Sequence, residues 1–238
     1  MWAIYKRELK SYFYSPLAYV LTGIYTLLLS LNFIRPILMA TGPAQTSFGA
    51  IIYNLNILLA FLIPILTMRV LADEKRNGTE VLLMTSPNSV PAIVFGKFLA
   101  AFTVFLLMAA VTAMYPIIIA ISGELVVASM ITSYLGYILT GALFVAFGVF
   151  TSSLTESPIV SAVIGSLCLF FIWIIDYFRG ALKGLLFDLA KWISFYSRFL
   201  DFVQGKICLK DFVFYFTLIA LFLSLAMIAV EKKRWSQG

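Results

Sequence analysis

Six apolar stretches, at 17–34, 50–68, 98–121, 130–150, 159–175 and 212–230, constrain this chain more than any other feature. A helix rises about 1.5 Å per residue, so about 20 apolar residues cross the roughly 30 Å of hydrocarbon in a bilayer. Each stretch approaches or meets that length. Composition agrees: 12% of the residues are charged, against about 25% in an ordinary soluble domain. The expected fold is all-α integral membrane, with six transmembrane helices in a single domain over 1–238. The first stretch follows a basic start, as a secretory signal would. It is too long for a signal core and no A-x-A site follows it, so it reads as an uncleaved span.

Orientation follows from Lys and Arg in short loops, which stay on the cytoplasmic side. Lys6, Arg7 and Lys10 precede the first span, Arg69, Lys75, Arg76 and Lys97 surround the loop after the second, and Lys232, Lys233 and Arg234 follow the sixth. In a six-span chain all three groups fall on one side, and both termini are expected in the cytoplasm. The segment 178–211 runs against this with Arg179, Lys183, Lys191, Arg198, Lys206 and Lys210. These are spread out and interleaved with Asp188, Asp201 and Asp211, which makes them a weaker determinant. The net charge of +6 sits at span ends, not in a basic stripe with interleaved aromatics. Membrane lipids, not nucleic acid, are the expected counterpart.

Two stretches outside the spans have helical periodicity. Trp2, Tyr5, Leu9, Tyr12 and Phe13 share one face over 2–15, with Lys6, Arg7 and Lys10 turned away and Pro16 ending the segment. This predicts an amphipathic helix in the inner headgroup layer. Over 180–204, Leu182, Leu185, Leu186, Leu189, Ile193, Tyr196, Leu200 and Val203 form a second apolar face. Short external helices between the fifth and sixth spans are expected there, either capping the bundle or steering a lipid-like cargo.

The most ordered polar segment is the loop between the second and third spans. Asp73, Glu74, Lys75 and Arg76 are followed by Gly78 and Glu80, and then by an apolar tip, Leu82 and Leu83, before Pro87. A charged helix, a glycine break and a second short helix with an apolar end make a surface that a soluble partner can grip.

Other chemistry is poorly provided for. The chain has no histidine, which removes the usual neutral-pH base, the commonest zinc ligand and any Ser-His triad. Glu124 and Glu156 lie alone in different loops. Arg35, Lys97 and Asp176 sit near span ends, so the ionisable groups at depth that a proton or sodium relay needs are not evident. Gly96-Lys97-Phe98 and Gly205-Lys206-Ile207 both fail the phosphate-loop pattern. Cys168 and Cys208 have no metal-ligand spacing. The expectation is a non-enzyme with no catalytic, cofactor or metal site, whose energy comes from another polypeptide.

Within the spans, Asn54, Asn56 and Pro64 mark the second as facing protein or a wet path, because lipid leaves amides unpaired. Ser157, Ser161 and Gly165 recur at spacing four in the fifth span, and Gly141, Ala142, Ala146 and Gly148 thin the fourth. Such small-residue faces allow close helix approach. Packing within one subunit, a subunit interface and a translocation path all remain open.

The polar loop and its flanks resemble the integral membrane subunits of the type-2 ABC exporter superfamily, above all the gliding-motility and copper-enzyme-maturation permease branch. The matching residues are Pro64-Ile-Leu-Thr-Met-Arg69, Glu74-Lys75 with Gly78-Thr79 and Leu82-Leu83, Ser86-Pro87 and Gly96-Lys97-Phe98. Lys6-Arg-Glu-Leu9 with Ser15-Pro16, Ser152-Ser-Leu-Thr-Glu156 and Glu231-Lys-Lys-Arg-Trp235 belong to the same pattern. The resemblance implies a half-size permease in a bacterial plasma membrane, working with an ABC ATPase subunit and a second permease copy or paralogue. It makes 72–88 a coupling loop that docks on the ATPase through Glu74, Lys75, Arg76, Gly78, Thr79, Glu80, Leu82 and Leu83. The implied function is export of a lipid-like, lipoprotein, peptide or other hydrophobic cargo. The alternatives are a mechanotransmitting subunit that acts on a periplasmic partner and moves no cargo, and a membrane assembly scaffold without an ATPase.

Overall fold

The structure is a computed structural model that describes residues 1–39, 48–79, 89–122, 127–177 and 194–236. Among the described residues it is helical, with no strand. A short helix, α1 (Trp2–Tyr14), precedes α2 (Pro16–Met39), α3 (Phe48–Thr67) and a charged helix α4 (Arg69–Arg76). Then come α5 (Val90–Thr112), α6 (Met114–Ser122), α7 (Val127–Leu154), α8 (Pro158–Tyr177), a short α9 (Phe195–Val203) and α10 (Leu209–Ser236).

Local sequence explains the joints. Ser15 is extended (φ −90°, ψ 136°), as the residue before a proline must be. Pro16 opens α2, where its missing N–H costs nothing, and Ser15 Oγ accepts a hydrogen bond from Leu17 N at 3.3 Å. α5 starts in the same way, with Ser89 extended and Pro91 in its first turn. α4 ends at Gly78, whose φ of +69° favours glycine. Gly78 N donates to Lys75 O at 3.2 Å.

The long helices alternate in direction. Thr67 meets Gly148 and Gly49 meets Ser133, so α3 runs parallel to α7. α10 does too, with Thr140 on Tyr215 and Phe147 on Phe222. α5 is antiparallel to α7, with Phe105 beside Tyr137 and Thr112 hydrogen-bonded to Tyr134, and α8 is antiparallel to α3, with Gly165 against Pro64 and Phe170 against Phe61. α7 is the centre. It touches α3, α5, α8, α9 and α10, and 78% of its most apolar window is buried, against 22% for α10.

Among the described residues, five helical segments are long and apolar enough to cross a membrane: Pro16–Ile34, Asn56–Arg76, Val90–Ile121, Val127–Leu154 and Leu209–Lys232. The apolar part of α8, Pro158–Ile174, is shorter than these, although the sequence predicts a span at 159–175. The third expected span, 98–121, also begins earlier, because α5 starts at Val90 and takes Lys97 into its body. Ser89 and Pro91 carried that start signal.

Burial in both amphipathic helices follows the predicted stripes only in part, with Leu9 and Tyr12 of α1 packed against the core. In α1 the buried residue is Ile4, while Trp2 (66%) and Phe13 (43%) are exposed. α1 lies on α5, with Ile4 near the bare Cα of Gly96, and this contact selects the face turned inward. In α9, Phe195, Phe199 and Phe202 are buried and Leu200 is exposed, because the phenylalanines fill the space beside α7. Residues 178–193, which hold most of the predicted external helices at 180–204, lie outside the described residues.

The thinned face of α7 is occupied by its neighbours. A Cβ on Gly141 would stand 2.1 Å from Phe105 Cζ, whereas one on Gly23 would meet nothing within 4 Å. Gly141→Ala should destabilise the detergent-solubilised protein by about 1–3 kcal/mol through overpacking. Gly23→Ala should instead be neutral or stabilising by up to about 1 kcal/mol. Thermal unfolding of both variants against wild type checks the contrast, and equal shifts would contradict this packing of α7.

Candidate functional site: a charged clamp around α4

The coupling-loop prediction starts at residue 72, and its first five residues are the last five of the eight in α4. This amphipathic helix turns Val70, Leu71 and Ala72 inward. Three elements hold it.

The first is α5. Lys97 is 1% exposed, and a buried ammonium is costly unless paired. Its Nζ stands 3.0 Å from Glu8 Oε1 and 3.0 Å from Glu74 Oε1, and it donates to Val70 O at 2.7 Å. Three acceptors match the three donors of an ammonium.

The second is α1. Arg7 Nη2 lies 2.8 Å from both Glu8 Oε1 and Glu74 Oε1, so two cations and two carboxylates interlock. The hydrogen bond to Glu8 holds the guanidinium above its ordinary pKa, and the Glu8 and Glu74 charges add to this against the opposing effect of burial. Tyr12 donates to Leu66 O at 3.1 Å. Burial pushes its phenol far above the usual value and the nearby Glu8 charge adds to the shift, so it stays a donor.

The third is α7. Ser152 Oγ accepts from Leu71 N and Ala72 N, each at 3.0 Å, and donates to Met68 O at 3.0 Å. The residue before α4, Met68, provides no side-chain cap, so Ser152 caps the helix from another element. Lys75 Nζ donates to Ser153 O.

The predicted docking residues therefore divide. Glu74 is 16% exposed and held by Arg7 and Lys97, and Lys75 reaches α7. Arg76, Gly78 and Thr79 are exposed, and Thr79 Oγ1 bonds Glu74 O at 3.4 Å. Glu80, Leu82 and Leu83 lie outside the described residues. Sequence reasoning missed Glu8, Lys97 and Ser152 as site members. Lys97 was read as a side chain near a span end. The available signal was a single lysine inside an apolar helix, which requires an acidic partner from elsewhere in the chain.

The predicted path or interface residues are elsewhere. Ser161 is buried, with its Oγ 3.5 Å from Thr151 Oγ1. A Cβ on Gly165 would be 3.1 Å from Pro64 Cβ, so this face packs on α3 within the chain. Ser157 is half-buried and Asn54 exposed. Asn56 is fully buried, and neither Oδ1 nor Nδ2 has a hydrogen-bond partner among the described residues. No group of three or more potential metal ligands occurs among the described residues.

A bundle of long apolar helices with a charged helix clamped at one end has the form of a membrane transport subunit. The model of the ABC-2 family transporter protein matches residues 2–190. The chain belongs to this family, and so is a multi-pass membrane permease component of an ABC transporter; such permeases generally work with an ABC ATPase partner. The match extends from α1 through α8 and stops before α9. A comparison with curated proteins gave no match.

Glu74→Gln alone should cost little, because Lys97 keeps Glu8 and Val70 O. Glu8→Gln with Glu74→Gln should cost more than the sum, about 3–5 kcal/mol, because it strands a buried ammonium. A double-mutant cycle of thermal unfolding measures this, and simple additivity would contradict a shared clamp. Ser152→Ala should cost about 0.5–2 kcal/mol as a lost cap, with faster amide exchange at Leu71 and Ala72.

Proposed function

We propose that this chain is the membrane subunit of an ATP-driven exporter of the gliding-motility and copper-enzyme-maturation branch. It has six membrane spans, both termini cytoplasmic, and sits in a bacterial plasma membrane. Two permeases, identical or paralogous, pair with two separate ATPase subunits that dock on the loop 72–88. The cargo is a lipid-like, lipoprotein, peptide or other hydrophobic solute. The Lys and Arg residues of α1, α4, the start of α5 and the end of α10 support this sidedness, since these elements gather at one end of the bundle.

One observation carries the coupling reading: α4 is fixed to α1, α5 and α7 along its length, while Arg76, Gly78 and Thr79 at its tip remain exposed. A lever needs that arrangement. A push on the tip by a closing ATPase reaches three helices through hydrogen bonds and ion pairs, without first stretching a loose loop. Glu74 and Lys75 then act as anchors that set the lever's angle. Arg76, Gly78, Thr79, Glu80, Leu82 and Leu83 form the contact surface, with the charges setting on-rate and the leucines supplying buried area.

The test is affinity capture of the solubilised protein from its native membrane, followed by assay of the eluate for a co-purifying ATPase. Wild type should retain the ATPase. Arg76→Glu with Leu83→Asp should lose at least about tenfold of it, equivalent to about 1.4 kcal/mol, while melting as wild type does. Absence of any ATPase under mild conditions would remove the energy source and overturn the exporter reading.

A further inference from the structure

Beside the clamp lies a groove of about 340 Å³ between α1, α4 and the start of α2. Its lining includes the charged Arg7, Arg69 and Asp73, the hydroxyls of Ser11 and Ser15, and the apolar Leu17 and Leu66. We propose that this groove binds the headgroup of a zwitterionic phospholipid with a primary ammonium, its phosphate on Arg69 and Arg7 and its ammonium on Asp73.

Charge decides the headgroup. Arg7, Lys97, Glu8 and Glu74 neutralise one another inside the clamp. The remaining groove charges are one cation, Arg69, and one anion, Asp73. They stand one turn apart on α4, with Arg69 Nε 3.9 Å from Asp73 Oδ2. That distance is too long for a hydrogen bond. Both side chains are well exposed, at 56% and 38%, and so retain donors and acceptors for a ligand. An anionic headgroup that ends in a neutral glycerol would offer Asp73 hydroxyl donors but no positive charge to balance the carboxylate. A quaternary ammonium would fill the space without donating a hydrogen bond to the carboxylate.

Geometry decides that the ligand is a lipid. Leu17 in the groove lining starts a stripe on α2 that continues through Val20, Ile24, Leu27 and Leu31, at spacings of three and four. The last four are 55%, 44%, 58% and 57% exposed. From Leu17 to Leu27 this stripe runs about 15 Å, one leaflet of a 30 Å hydrocarbon core. A headgroup in the groove thus has an apolar track for its chains directly below. The proposal needs only that the chain lies in a membrane, and it is independent of the ATPase reading.

Native mass spectrometry of the delipidated full-length chain tests it, with added phosphatidylethanolamine, phosphatidylcholine and phosphatidylglycerol of identical acyl chains. Phosphatidylethanolamine should bind about tenfold more tightly than the other two, the worth of one charge-assisted hydrogen bond. Asp73→Asn should erase that preference, and Arg69→Gln should weaken all three lipids. Leu17→Trp fills the groove without changing a charge and should also reduce phosphatidylethanolamine binding, so it decides the matter if either charge variant misfolds. Lys206→Gln, beyond α9, should change nothing. Equal or tighter binding of phosphatidylglycerol to wild type, or an unchanged lipid order in Asp73→Asn, would overturn the proposal. So would displacement of the lipid by water-soluble phosphoethanolamine at equal concentration, which would make the site one for a soluble ligand.

Discussion

One buried ammonium organises the charged end of this protein. Lys97 sits inside an otherwise apolar helix, and its charge requires partners that α5 cannot supply. Glu8 comes from α1, Glu74 from α4, and the Val70 carbonyl from the first turn of α4. Satisfying one lysine therefore fixes two other helices. A buried ion pair is weak evidence for net stability, since apolar residues of similar volume often do as well. Its value here is geometric: it makes the angle of α4 depend on α1 and α5 together.

The opposite end of the bundle uses the same chemistry for a different joint. Arg198 of α9 lies 3.0 Å from Asp211 at the start of α10 and stacks 4.0 Å from the centre of the Phe214 ring. Thr132 Oγ1 on α7 donates to Phe202 O at 2.6 Å, and Tyr215 donates to Phe195 O at 3.1 Å. Between these ends α7 brings Gly136, Gly141 and Gly148 to contacts where neighbouring side chains approach its backbone closely, and packs Tyr137, Phe144 and Phe147 against aromatic rings of α5, α9 and α10. Close packing in the middle and ionic joints at both ends suit the lever proposed above for α4. The Asn56 amide of α3, buried with neither polar atom partnered among the described residues, departs from a fully satisfied interior.

Much of this could be read directly from the chain. The helical class, the positions of the long helices and the charged helix with its glycine stop follow from local rules. Apolar length, Pro and Ser at helix starts, and a left-handed Gly at a helix end act over a few residues. The small residues of α7 also foretold close packing, though not which helix would fill each gap. The start of α5 was misread because hydropathy alone passes over the Ser89 and Pro91 signal.

What the sequence could not supply were the pairings. Glu8 and Lys97 are 89 positions apart, and Ser152 stands 81 positions from Leu71. Nothing in periodicity marks a serine in α7 as the cap of α4. The faces of α1 and α9 show the same limit: the neighbouring helix set which residues turn inward, with Ile4 seated on Gly96 and Phe199 and Phe202 beside α7. The sequence by itself determined a helical membrane chain with a charged helix between two of its long helices, because those features depend on short-range hydropathy and backbone preference. The tertiary structure alone decided that the charged helix is clamped, which of its residues face inward and where a groove opens beside it, because these depend on which distant groups meet once the helices are packed.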